Sequence, residues 1–208
     1  MTADESGDTA DESDEGVGAS TEEGTAASRE VVVLDFLPHG RTEDDRPQYQ
    51  KQPLAYVLET EDFRLLELVV DADADIAIGD VVDLDAADFV DRRHDVAYED
   101  LPSGAASELE YAVEDLVDAE ERRFVDFYNE AQPITLRLHQ LNLLPGIGKK
   151  LRNAILDERD RQPFESFEDL GARVSGLHNP REVLVERIME EFREEDLKYR
   201  TFVRHDGE

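Results

Sequence analysis

The sequence contains no cysteine. Disulfides and thiolate metal sites are therefore excluded, and the redox compartment is left open. No apolar run approaches the roughly 20 residues that span a bilayer. The first thirty residues are acidic, unlike a signal peptide with its basic start and apolar centre. A soluble, cytoplasmic protein without membrane contact is expected. Lysine is scarce: Lys51, Lys149, Lys150 and Lys198 are the only four, against eighteen arginines. Catalytic signatures are missing too. There is no Gly-x-Ser-x-Gly, no His-Glu-x-x-His and no clustering of zinc ligands. The five histidines, His39, His94, His139, His178 and His205, are widely scattered.

What is abundant is acid. The 208 residues carry 53 Asp and Glu against 22 Lys and Arg, a formal charge of −31. Self-repulsion of this size destabilises a compact fold at low salt. The acid is spread along the whole chain, and with scarce lysine it resembles the proteins of salt-loving archaea. In a potassium-rich cytoplasm the screening length is about 3 Å at 1 M, and the repulsion is damped. Net acidity then says little against nucleic-acid binding. The informative feature is where base survives. From Arg137 to Arg161 six Lys and Arg stand against three Asp and Glu.

At the centre of that basic island lies Leu143-Leu144-Pro145-Gly146-Ile147-Gly148-Lys149-Lys150. Apolar spacing predicts a helix before it, over Ile134–Leu141, and another after it with Leu151, Ala154 and Ile155 on one face. The glycines permit a sharp reversal and leave the backbone N–H groups bare. At a helix start those donors are unpaired and the dipole is positive, which suits a phosphate oxygen. Lys149, Lys150 and Arg152 add full charge. The plain alternative is a glycine turn joining two core helices. A dinucleotide fingerprint is excluded because Leu151 stands where its third glycine belongs, and a P-loop needs four residues between its glycines.

Residues 1–28 carry nine acids and no base, and an acidic disordered tail is expected. Residues 29–102 read as a small β-barrel. Strands are predicted over Val31–Phe36, Pro53–Thr60 and Phe63–Val70, with one or two more within Ile76–Leu84. Asp71 to Asp75 alternates like a calcium loop, but Ile76 replaces the required glycine, so calcium is rejected. Arg92-Arg93-His94 is a small basic cluster. Residues 103–130 read as two connecting helices, with Ser103 as a candidate cap. Within 131–196, Ser166 and Asp169 mark a helix start, and Asn179-Pro180 marks another. Val174-Ser175-Gly176-Leu177-His178 looks like a second, degraded copy of the turn. Residues 197–208 read as a final strand or a docked tail.

The string Leu-Pro-Gly-Ile-Gly-Lys-Lys closely resembles a helix-hairpin-helix motif. Leu34-Asp35-Phe36-Leu37-Pro38-His39-Gly40-Arg41, Tyr98-Glu99-Asp100-Leu101, Ala131-Gln132-Pro133-Ile134-Thr135, Pro163 to Asp169 and Lys198-Tyr199-Arg200 extend the likeness. Together they resemble an archaeal family of uncharacterised proteins labelled DUF655, over about residues 30–204. The resemblance implies an α+β fold, with an OB-like barrel followed by a tandem helix-hairpin-helix domain that binds RNA. It further implies a nucleic-acid site over Leu144, Pro145, Gly146, Ile147, Gly148, Lys149, Lys150 and Arg152. A monovalent cation, K+ or Na+, is implied on the main-chain carbonyls of Asn142, Leu144 and Ile147. No other cofactor is expected.

The leading expectation is a non-catalytic protein that grips the phosphate backbone of RNA, ahead of DNA, without reading sequence. One alternative is a magnesium-dependent nuclease, with Asp35, Asp83 and Asp85 converging. Another is an adaptor whose acidic surface meets the ribosome or another protein. The sequence leaves the oligomeric state open.

Overall fold

The computed structural model describes residues 29–41, 46–47, 50–194 and 196–204. The expected acidic tail lies outside them. Five strands form one antiparallel sheet: β1 (Glu30–Leu37), β2 (Leu54–Glu59), β3 (Leu65–Val70), β4 (Val81–Asp83) and β5 (Val90–Asp95). Their order is β4-β1-β2-β3-β5, so β4 and β5 are both edges and the sheet is open. This corrects the expected closed barrel. A barrel has no edges, and here the strand carrying Arg92-Arg93-His94 ends the sheet rather than returning to β4.

The three central strands read as continuous apolar runs because both faces are covered. Side chains alternate across a strand. Val32, Leu34, Tyr56, Leu58 and Leu65 join the helical core. Val31, Val33, Ala55, Val57, Leu66 and Leu68 form a second cluster, closed by Leu84 and partly by Ile76 and Phe89. Of the predicted 76–84 strands only Val81–Asp83 is extended, and the residues before it make a turn that Gly79 enters at φ 86°. The β2–β3 turn falls at Thr60–Asp62, where the two predicted strands meet. It leads into Phe63, fully buried at φ 51°. A left-handed phenylalanine is strained by about 1–2 kcal/mol. Burial of its ring, worth about 1.5–3 kcal/mol, offsets that. Its centroid lies 6.1 Å from Phe124 and 6.5 Å from Phe192.

Five helices follow: α1 (Ser103–Ala119), α2 (Glu121–Glu130), α3 (Lys149–Arg161), α4 (Phe167–Arg173) and α5 (Pro180–Arg193). Leu109, Ala112, Val113 and Val117 make the buried stripe of α1, which packs on β1. Pro102, not Ser103, holds its N-cap position. Ser166 caps α4 as expected, accepting the Asp169 N–H at 3.1 Å. The helix predicted over Ile134–Leu141 does not form. Residues 132–139 make a looped ribbon closed by a bridge between Pro133 and His139, and only Gln140–Leu143 coil, as a short 3-10 turn. The Ile134 and Thr135 N–H groups both donate forward to Leu138 O, at 2.8 and 3.0 Å, which folds the segment back on itself. Thr135 Oγ1 also takes the Leu138 N–H at 3.0 Å, a turn bond that competes with helix. Residues 196–204 are a docked tail. Val203 is buried, and Arg204 N–H donates to Asp62 O at 3.1 Å.

Candidate nucleic-acid interface

The 3-10 turn Gln140–Leu143 brings the chain into the 144–148 reversal, and α3 carries it out. Three apolar anchors hold the reversal to the core: Leu141, Leu144 and Ile147 are all buried. Ile147 N–H donates back to Leu144 O at 3.2 Å, closing the turn. Leu151, Ala154 and Ile155 face the core from α3, as their spacing requires. Between the anchors, Gly146, Gly148, Lys149 and Lys150 are exposed.

The two glycines have different reasons to be glycine. Gly146 sits at φ 73°, where side chains are strained. Gly148 is the N-cap of α3 at φ −78° and ψ 178°, angles open to any residue. A Cβ at Gly148 would meet nothing within 4 Å. Neither backbone angle nor internal packing demands glycine at 148. No side chain caps α3. Among the described residues, the N–H groups of Gly146, Lys149 and Lys150 have no acceptor, while Gly148 N–H leans on Gly146 O at 3.1 Å. Free donation therefore falls to Gly146, Lys149 and Lys150.

The basic island divides by partner. Arg159 donates to the carbonyls of Tyr128 and Ala131, at 3.1 and 2.9 Å, and ties α3 to the end of α2. Arg161 pairs with Glu158. Arg152 bonds only neutral amides, Asn142 at 3.1 Å and Asn153 at 2.8 Å, so its charge is not cancelled. Lys149, Lys150 and Arg137 have no ion pair among the described residues and are exposed.

Asn142, whose side chain nothing in the sequence singles out, stitches the turn. Its amide donates to Ile147 O at 3.0 Å and its Oδ1 takes Arg152. Of the carbonyls named for a monovalent cation, Ile147 O and Leu144 O thus each accept one hydrogen bond. Each keeps a second lone pair. His139 is buried, caps the 3-10 turn through Nδ1 to Leu141 N–H at 3.2 Å, and is held below the ordinary histidine range by burial and by Arg159 and Arg152.

The family model described as protein of unknown function (DUF655) matches residues 27–204. The chain belongs to that family. An uncharacterized protein of Methanocaldococcus jannaschii is 39% identical over 178 residues, 83% of this chain and 78% of that one. The crystal structure of a DUF655 protein from Archaeoglobus fulgidus superposes with a TM-score of 0.76 at 39% identity, covering 85% of this chain and 99% of that one. Both relatives are archaeal.

In this DUF655 chain the other candidate clusters separate. Asp35, Asp83 and Asp85 do not form a metal-holding group, and no three His, Cys, Asp or Glu do so among the described residues. Asp83 instead accepts the Asp85 N–H at 2.9 Å, and Asp35 accepts the Phe36 N–H at 2.9 Å. No helix among the described residues is long and apolar enough to cross a membrane.

Proposed function

We propose that this protein binds nucleic acid without catalysis, RNA ahead of DNA, by seating a backbone phosphate on the 144–150 turn as a helix-hairpin-helix. The carrying observation is Gly148. Nothing inside the molecule requires glycine there, and a Cβ would stand in open space beside the uncapped start of α3. A backbone that must come close from outside supplies the reason. Gly146, Lys149 and Lys150 donate, the lysine charges and Arg152 attract, and Leu144, Pro145 and Ile147 fix the shape. K+ or Na+ on the Asn142, Leu144 and Ile147 carbonyls would join turn to phosphate. RNA is placed first because of the family resemblance.

The test is binding to single-stranded and duplex RNA and DNA across a potassium series, with circular dichroism as folding control. Lys149→Glu with Lys150→Glu should weaken every sequence alike, because phosphate contacts position without specifying. The salt slope should flatten by roughly 0.7–0.9 for each phosphate that is no longer neutralised. A folded double variant that binds like the parent would remove the turn as the binding site. The acidic composition further suits a potassium-rich cytoplasm. Melting should fall between molar and about 0.05 M potassium chloride, as screening weakens, and unchanged melting would remove that reading.

A further inference from the structure

We propose that the chain carries a second anion site: a pocket beside edge strand β5 that takes a phosphate group borne on a nucleotide-sized ligand. The pocket encloses about 340 Å³ between the Gly40–Arg41 loop, the start of β2, β3 and β5. Arg41, Arg46, Arg92 and His94 line it, and Glu67 is the one acid among its described lining residues.

The concentration of base is unusual for this chain. Its arginines commonly end on carboxylates, as Arg64 does on Asp95 at 2.5 Å, Arg173 on Asp169 at 2.9 Å and Arg187 on Glu191 at 2.9 Å. Arg92 does not. Its guanidinium donates to the neutral Gln52 Oε1 at 2.8 Å, and it has no carboxylate partner among the described residues. A neutral amide orients the fork and leaves its charge available. Pairing with β3 sets Arg92 opposite Val69 and His94 opposite Glu67, so alternation places both on the same face.

Arg41 is held with equal care on the opposite wall. Its Nε donates to Tyr56 Oη at 2.9 Å and to Glu67 Oε2 at 3.0 Å, and its Nη2 makes an ion pair with the same Glu67 oxygen, so its charge is answered within the pocket wall. Tyr56 also donates to Glu67 at 2.6 Å, and burial pushes the phenol up to about 12, so it stays a neutral donor. The loop under Arg41 is fixed. Gly40 turns at φ 68°, a Cβ there would lie 2.9 Å from Gln52 O, and Lys51 Nζ donates to Arg41 O at 3.2 Å. The uncancelled Arg92 fork matches the oxygens of a phosphate, which guanidinium binds bidentately, and Arg41, steadied by Glu67, borders the pocket from the opposite wall. Leu54 and Val69 supply apolar surface beside them for a ribose or base. A terminal phosphate monoester suits the site better than a mid-strand diester, because it brings close to two charges where the diester brings one.

A free nucleotide and the 5′ end of a strand share this chemistry. The site stands apart from the 144–150 turn, so its success or failure leaves that reading untouched. The experiment is calorimetric titration of the full-length protein, in potassium chloride that maintains the fold. The probes are adenosine 5′-monophosphate, adenosine, and a short oligoribonucleotide with and without a 5′-phosphate. The phosphorylated probes should bind and adenosine should not. Equal affinity for the nucleotide and the phosphorylated oligomer assigns the free nucleotide, and preference for the oligomer assigns the strand end. Arg92→Gln should weaken phosphate binding about tenfold or more, the loss of a charge-assisted hydrogen bond. The exposed position of Arg92 predicts an unchanged fold. Arg92→Lys, which keeps the charge and loses the fork, should fall between. Lys149→Glu with Lys150→Glu should leave adenosine monophosphate binding intact. Failure of both phosphorylated probes to bind, or equal binding by Arg92→Gln, would overturn the site.

Discussion

The molecule makes the same reversal twice and finishes it differently. At the first turn Gly146 stands at φ 73°, and the buried Ile147 donates to Leu144 O at 3.2 Å. At the second, Gly176 stands at φ 94°, and the buried Leu177 donates to Val174 O at 3.1 Å. The difference lies in the next few residues. Gly148, Lys149 and Lys150 leave the first helix start open. At the second, one more residue intervenes, Asn179 takes φ 47°, and Pro180 fills the first helical position as a buried residue without an N–H. Arg181 is drawn to Asp118 at 2.9 Å, and Glu182 takes the Asn179 amide at 2.9 Å. One turn keeps its cations free at the helix start, while the other gives up a donor to Pro180 and pairs its arginine with Asp118. The reversal is thus a structural device, and the residues after it decide whether a phosphate has anything to meet.

The second unit should therefore be broken through stability, and the largest effect is expected at Glu191. This carboxylate on α5 is fully buried. It accepts Arg187 Nε at 2.9 Å and the N–H groups of Thr201, Phe202 and Val203 at 2.8–3.0 Å, which docks the tail. Glu191→Ala would leave three amides without their acceptor and remove the buried partner of Arg187, which keeps only Glu190 at 2.8 Å and Tyr199 O at 2.6 Å. Removing one partner of a buried pair costs about 3–5 kcal/mol. Denaturant unfolding at high salt measures it, and the folded fraction should keep its nucleic-acid affinity. A cost below about 1 kcal/mol, the level of an exposed pair, would count against this account of α5.

Two alanine substitutions sharpen the contrast from both sides. Gly176→Ala forces a left-handed alanine, costing about 1–2 kcal/mol, and should leave binding alone. Gly148→Ala meets no internal atom and keeps allowed angles, so the stability loss should stay within about 1 kcal/mol, the usual preference for glycine over alanine at an N-cap. Its binding should nevertheless drop severalfold as the methyl blocks approach. Melting curves and titrations on the same preparations give a crossed pattern. Parallel losses in both variants would dissolve the distinction between the turns.

Much of this architecture is legible in the sequence for physical reasons. β1, β2, β3 and the faces of α1 and α3 declare themselves through uninterrupted or periodic apolar residues. The cap at Ser166 declares itself through local chemistry. β5 is not legible, because Val90-Asp91-Arg92-Arg93-His94-Asp95 has one apolar residue and owes its strand to pairing with β3. Sheet closure is a property of distant edges, which no window of sequence reports. The 132–139 ribbon misleads because Ile134, Leu138 and Leu141 have helical spacing, while the Thr135 hydroxyl favours a turn. At the candidate site the glycines and lysines can be read, but not the use of Asn142 as a stitch or the burial of His139. Both depend on α3 folding back onto the 3-10 turn.

His139 gives the smallest effect and a test of that fold-back. Its Nδ1 must be unprotonated to accept the Leu141 N–H, and burial with Arg159 and Arg152 depresses its affinity for a proton. The unfolded chain takes up that proton near the ordinary value of about 6.5, whereas the folded chain resists until lower pH. Between those two values the unfolded state binds more protons, so stability rises with pH there. The contribution is complete above about pH 6.5, falls as pH drops, and stops falling below the folded value. His139→Asn retains a side-chain acceptor for the cap, as asparagine does at helix starts, and cannot titrate. Parent and variant should run parallel from about pH 7 to 8 and converge toward pH 5, where the parent loses this contribution. The comparison is made at constant high salt, so that the many carboxylates titrate alike in both proteins. Curves that stayed parallel down to about pH 5, well below the ordinary histidine value, would mean that His139 is not shielded by Arg152 and Arg159, and the packing of α3 against the turn would need to be redrawn.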